Sequence, residues 1–155
     1  MLMDNFKKII EVINDLIKIN KDREEGYVKA SRELTPAEHN LRGVFERKAQ
    51  ESRNNVLQLQ HKAEEVGAQA NDEIATSGSV SGAIYRVWMD LKRAVTGNDA
   101  RSILESCETG EKAAQKCYAD ALNEKELPED VSTIIREQKK SIDESEQELR
   151  KLIAS

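Results

Sequence analysis

Residues 13–31 read INDLIKINKDREEGYVKAS, and their spacing decides the fold. Positions taken alternately four and three apart lie on one face of an α-helix, and here those positions are mostly uncharged. The stripe predicts a long amphipathic helix over about residues 4–33. Its members are Ile13, Ile17, Asn20, Glu24, Tyr27 and Ser31. Glu24 is therefore a carboxylate in a stripe that faces a core.

The same spacing recurs along the rest of the chain. It predicts further long helices over about residues 37–67, 99–125 and 129–153, and a shorter one over about 79–95. The second of these begins with Thr-Pro-Ala-Glu at residues 35–38, which combines a capping residue, a proline at the first helical position and a capping-box glutamate. The stripe of the helix at 99–125 contains a second misplaced carboxylate, Glu111.

Connection lengths indicate how these helices pack. Short connections join the first long helix to the second and the third to the fourth, so each pair forms an antiparallel hairpin. About thirty residues separate the hairpins, enough to carry the chain back along a helix. The sequence predicts an all-α, ferritin-like four-helix bundle over residues 1–155, in which the crossover contains a short fifth helix.

Composition excludes several classes of protein. The chain has 155 residues, 38% of them hydrophobic and 34% charged, and its net charge of -5 is spread along the sequence without a basic stripe for nucleic acid. It contains no apolar run of about 20 residues and no export-type start, so we expect no membrane partner and a cytoplasmic location. Cys107 and Cys117 lie too far apart on one helix to bond, in keeping with a reducing compartment.

The two misplaced carboxylates suggest a metal site. Under the crossover topology Glu24 and Glu111 lie at the same depth, where a buried carboxylate needs a partner such as a cation. Iron or manganese suits such oxygen ligands, with Glu51, Glu144 or Glu146 as flanking carboxylates. A ferritin-like site also needs Glu-x-x-His on the second and fourth helices. Those helices offer serines instead, Ser52 and Ser145.

A structural interpretation competes with the metal site. Glu24 and Glu111 can be buried polar residues that pair with Asn20, Gln138, Tyr27 or water. Cys107, Tyr27 and Tyr118 lie on the same stripes and can act in redox chemistry, although core packing explains them equally well. The residues leave both interpretations open.

Four segments also resemble a known family. They are NDLI at 14–17, DREEGY at 22–27, SGSVSGAIYRVWMDLK at 77–92 and ESCETGEKAAQKCY at 105–118. Together they resemble bacterial ferritin-like four-helix proteins without assigned function, related to rubrerythrins. The resemblance implies a dimeric bundle with a role in stress responses, and it carries over the glutamates at Glu24, Glu25, Glu105, Glu108 and Glu111. Glu146 stands where such relatives commonly have a histidine.

Two functions follow from the sequence. The missing Glu-x-x-His motifs favour a non-catalytic structural or interaction module that works as a homodimer or through a protein partner. The alternative is a carboxylate-rich iron or manganese protein with a degenerate di-metal site, which as an enzyme would be a peroxidase or oxidase.

Overall fold

The computed structural model describes residues 2–70 and 99–155, and within these ranges the chain is helical with no β-strand. A short 3-10 turn precedes the second helix. The elements are α1 (Leu2–Glu33), the 3-10 turn Pro36–Glu38, α2 (His39–Ala70), α3 (Ala100–Leu122) and α4 (Glu129–Ala154). The four long helices predicted from the stripes are confirmed to within a few residues at each end. The short helix predicted over 79–95 lies outside the described residues.

The helix starts have local causes. At the start of the α2 segment, the Glu38 carboxylate accepts hydrogen bonds from the backbone N–H of Thr35 at 3.0 Å and from its hydroxyl at 2.9 Å. At the start of α3, Asp99 accepts a hydrogen bond from the backbone N–H of Ser102 at 2.8 Å. Both contacts satisfy polar groups that a helix end would otherwise leave without a partner.

Helix α1 packs against α2 and α3, and both neighbours run antiparallel to it. From α1 to α2, Asn20 bonds Asn55 while Tyr27, further along α1, stacks on Phe45, earlier in α2, with ring centroids 6.0 Å apart. From α1 to α3, contacts run in the same opposed sense from Lys8–Glu124 to Arg23–Glu111.

Helix α4 runs antiparallel to both of its neighbours as well. Gln138 is bonded to Tyr118 of α3 and to Gln58 of α2, whereas Ser145, further along α4, is bonded to Lys48, earlier in α2. Helices α2 and α3 are therefore parallel to each other, as are α1 and α4. The end of α2 and the start of α3 lie at opposite ends of the bundle, which is the arrangement that a long crossover requires.

The predicted stripes of α2, α3 and α4 face the core. The stripe of α1 is wrong at Ile17 and Glu24, although its Ser31 is buried. Leu16 and Arg23 are fully buried there, and Ala30 is too. Their predicted counterparts Ile17 and Glu24 are partly exposed. The core stripe of α1 therefore runs three and then four residues apart from Ile13, and it brings an arginine inside.

The core is apolar at both ends of the bundle and polar in the middle, where buried charged and amide side chains from all four helices meet. Among the described helices, none combines the length and the apolar character needed to cross a bilayer.

Candidate functional site

The centre of the bundle is a buried ion pair between Arg23 of α1 and Glu111 of α3. The two form a bidentate contact, with Nε to Oε1 at 2.6 Å and Nη2 to Oε2 at 2.9 Å. Neither side chain exposes any surface. Parallel bonds of this kind suit the planar guanidinium and are among the strong hydrogen bonds of proteins. The pair ties the first hairpin to the second.

The remaining donors of Arg23 are directed to two other acceptors. Nη1 donates to Oδ1 of Asn20 at 3.0 Å, and Nη2 reaches Oε1 of Glu51 on α2 at 3.5 Å. The guanidinium carbon also lies 6.0 Å from the centroid of the Tyr27 ring. Arg23 is thus a cation enclosed by oxygen atoms from three helices.

The charges of the pair hold each other in the ionised state. Burial would raise the pKa of Glu111, but the charge of Arg23 and hydrogen bonds from Arg23, Ser145 and Tyr27 bring the pKa below its usual value. Burial would lower the pKa of Arg23, but Glu111, with smaller effects of Tyr27 and Glu51, brings that pKa above its usual value. A buried charge persists when a partner of opposite sign compensates its lost hydration.

A chain of amide and hydroxyl groups extends from Arg23 across the core. Asn20 donates to the Tyr118 hydroxyl at 2.7 Å, and Tyr118 donates to Gln138 at 2.6 Å. Gln138 in turn donates to Gln58 at 2.7 Å, while Asn55 donates back to Asn20 at 3.1 Å. Each helix therefore contributes at least one member, and the network links all four at one level.

On the other side of the ion pair, a second network reaches the surface between α2 and α4. Lys48, only 2% exposed, donates to Ser145 at 2.8 Å and to Glu148 at 2.6 Å. Arg47 bonds both oxygens of Glu148 at 2.8 Å. A groove of about 570 Å³ lies over these residues, and Glu51 lines it too. The ion pair therefore lies beneath a polar groove.

The glutamates predicted as metal ligands have different surroundings. Glu111 is fully buried, as predicted. Glu24 does not face the core beside it: its side chain is 30% exposed and pairs with Arg53 at 3.0 Å. The reason is the rotation of α1 about its own axis, which turns Arg23 towards the core and Glu24 towards the edge between α1 and α2.

The three flanking glutamates are also separated. Glu51 lies at the groove within reach of Arg23, and Glu144 lines the same groove from α4. Glu146 is buried and paired with Arg150 at 2.8 Å, beside Glu108. In the described part of the chain, no three side chains from histidine, cysteine, aspartate and glutamate lie close enough together to hold a metal ion.

The candidate redox residues are held in their protonated forms. Burial, with the nearby charge of Glu111, raises the pKa of Tyr27 and of Cys107. Burial also raises the pKa of Tyr118, and that of Cys117 to about 12. Because the thiolate is the reactive form of cysteine, both thiols are chemically quiet in the folded chain.

Sequence reasoning missed two site residues, Arg23 and Lys48. The signal for Arg23 was the competing stripe of α1, in which Leu16, Ala30 and Leu34 are all apolar. Lys48 lies next to the core residue Ala49, and a long side chain there can bury its stem while its amine reaches a partner. No simple pattern distinguishes it from a surface lysine.

Comparisons with known proteins give a family without an assigned function. No curated protein and no solved structure matches the chain. A family described as a domain of unknown function, DUF2383, matches residues 8–124. That range includes most of α1, all of α2 and α3, and both members of the Arg23–Glu111 contact. The chain therefore belongs to the DUF2383 family of domains of unknown function.

Proposed function

We propose that the protein is a non-catalytic structural or interaction module built on a ferritin-like four-helix bundle, in which Arg23 serves as the cation of the core. The observation that carries the proposal is the bidentate contact from Arg23 to Glu111, with Nε to Oε1 at 2.6 Å. The fixed positive charge meets the need of the buried carboxylate that had suggested a metal ion.

Two features of the site support a non-catalytic role. The guanidinium donates to Glu111, Asn20 and Glu51, so the acceptors around it are already engaged. A divalent cation at the same place would meet the repulsion of a buried arginine. The buried thiols and phenols are held protonated and offer no activated nucleophile.

The helix directions support the ferritin-like assignment. Parallel α2 and α3, each antiparallel to α1 and α4, require a long connection between the two hairpins, and ferritin-like folds have one such crossover. The resemblance of the sequence supports the same assignment and a stress-related role. The two unpaired cysteines support a cytoplasmic location.

Metal analysis tests the proposal. The native protein, exposed anaerobically to ferrous iron or to Mn²⁺ and then desalted, should retain far less than one metal ion per chain, and so should its Glu111→Gln variant. Glu137→Gln, an exposed position on α4, is the matched control for the loss of one carboxylate. Stoichiometric metal in the native protein that disappears in Glu111→Gln but persists in Glu137→Gln would contradict the proposal.

The alternative function is a carboxylate-rich iron or manganese site, and one observation favours it. Glu51 and Glu144 line the same groove from opposite helices, and oxygen ligands suit both metals. The same measurement distinguishes the two functions. Under the alternative, retention depends on Glu51 and Glu144, and the variants Glu51→Gln and Glu144→Gln lose the metal that the native protein holds.

A further inference from the structure

A polar groove lies between α2 and α4. They meet where Gln58 bonds Gln138 at 2.7 Å and where Lys62 pairs with Asp130 at 3.1 Å. Further along, Lys48 bridges to Ser145 and Glu148, and the groove of about 570 Å³ lies over these residues. Its charged lining residues are Arg47, Lys48, Glu51, Glu144, Glu148 and Lys151.

The charges of the groove are separated along its length. Arg47, Lys48 and Lys151 lie towards one end, where Glu148 also lies, and the balance there is positive. Glu51 and Glu144 lie towards the other end, where the lining has no positive charge. The contact between Arg47 and Glu148 at 2.8 Å fixes this register of the two antiparallel helices. The groove is therefore a dipolar surface, positive at one end and negative at the other.

A dipolar surface of this kind is complementary to itself when a second copy is turned by a two-fold rotation. In an isologous contact, each end of the surface meets the opposite end on the partner copy. Glu144 and Lys151 are separated by about two helical turns on α4, so both point to the same side of that helix. Turned about an axis between them, two copies bring Glu144 of each to Lys151 of the other.

We infer that the α2–α4 groove is the surface through which two copies of this chain associate, with Glu144 of one copy facing Lys151 of the other. The inference rests on the proposed interaction role and names its partner. Charge complementarity of this kind sets the orientation of partners and suppresses wrong pairings. The inferred dimer does not depend on whether the protein binds a metal ion.

Sedimentation velocity of the full chain at low salt, over a series of concentrations, tests the inference. The native protein should dimerise. Glu144→Lys or Lys151→Glu alone should weaken the dimer by about tenfold or more, because each reversal places like charges face to face at two symmetric contacts. Both residues are exposed, so the fold should be kept, and circular dichroism checks this.

Mixing the two single variants gives the decisive result. A Glu144→Lys chain carries positive charge at both positions and a Lys151→Glu chain carries negative charge at both, so the mixture should form a heterodimer of about native affinity. Glu25→Lys and Lys18→Glu are matched reversals at exposed positions seven residues apart on α1, which does not line the groove, and they should leave the dimer unchanged.

Three results would overturn the inference: a native chain that stays monomeric at every concentration, single reversals that leave dimerisation unchanged, or a mixture that does not associate. Each would leave the metal test of the proposed function unaffected. A monomer would mean that the groove takes a different partner or none.

Discussion

Arg23 and Glu111 show how a charged residue can occupy the centre of a core. Removing both from water is costly, and their attraction offsets this only with good geometry and with partners for the remaining polar atoms. Here the contact is bidentate, and Asn20 takes a further donor of the guanidinium at 3.0 Å. The stability of the pair depends on both members being present.

Replacing one member should therefore destabilise the protein strongly. We expect Arg23→Met or Glu111→Gln to lower the free energy of unfolding by about 3–5 kcal/mol, since each change leaves a buried charge without its partner. Chemical denaturation measures the loss. The partly exposed pair of Arg53 and Glu24 is the matched control, and Glu24→Gln should cost no more than about 1 kcal/mol. Equal losses at the two pairs would contradict this account.

The ion pair should also make the protein sensitive to acid. The pKa of Glu111 is lowered in the folded state, so the stability it contributes is present above the ordinary value of 4.5 and is lost as the pH falls below it. Unfolding curves between neutral and acidic pH should show a steeper loss for the native protein than for Glu111→Gln. Parallel pH profiles for the two proteins would show that another group controls acid unfolding.

The phase of α1 explains why the sequence predicted Glu111 but not Arg23. The two stripes through α1 share Ile13, Asn20 and Tyr27, and they differ by one residue, or about 100° around the helix, at the positions between. The choice between Ile17 and Leu16 does not distinguish the two stripes, since both residues are apolar. Ala30 and Leu34 favour the second stripe, but an arginine within it is explained only by its contact with α3, because a long cation can be buried where a partner carboxylate comes from another helix. Partners distant in sequence are invisible to periodicity.

At the scale of elements, the helices reflect local signals closely. The turn at Pro36–Glu38 stands where capping residues predicted a helix start, and the structure shows a further cap at Asp99. The core-facing stripes of α2, α3 and α4 were predicted correctly because the apolar residues of each helix fit only one face of it. Gly43 is a residue with poor helix preference within α2. It lies on an exposed face, and a methyl group added there would meet no atom within 4 Å.

Gly43→Ala should consequently stabilise the protein. Alanine restricts the unfolded chain more than glycine does and is preferred in helix interiors by about 1 kcal/mol. We expect a rise of up to about that amount in the free energy of unfolding, measured by chemical or thermal denaturation. Gln50→Ala, at another exposed position of α2, is the control and should change little. A loss of stability in Gly43→Ala would indicate that this face contacts something that alanine disturbs.

At the scale of the whole molecule, connection lengths were enough to predict which helices run parallel and which run antiparallel. The short turns allow only antiparallel neighbours, and the observed opposed contacts of α1 with α3 and of α2 with α4 agree with a long crossover. What the connection lengths could not give is the groove between α2 and α4, since its lining residues come from distant parts of the sequence.

Labelling of the Cys107 thiol measures whether the four helices unfold together. Cys107 is 3% exposed beside Glu111, and burial raises its pKa, so a thiol reagent should reach it only when the bundle unfolds. In a Cys117→Ala variant, the labelling free energy of Cys107 should equal the global free energy of unfolding from denaturation. The same variant in strong denaturant is the control and should react at once. Fast labelling without denaturant would reveal a local opening of the core.

The Arg23–Glu111 contact also constrains how such sequences can diverge. A lineage that loses the arginine first, or the glutamate first, passes through a chain with a lone buried charge. Related sequences should therefore change the residues at positions 23 and 111 together, keeping either an ion pair or two apolar residues. The coupling would be visible as paired substitution between two sites separated by 88 residues of chain.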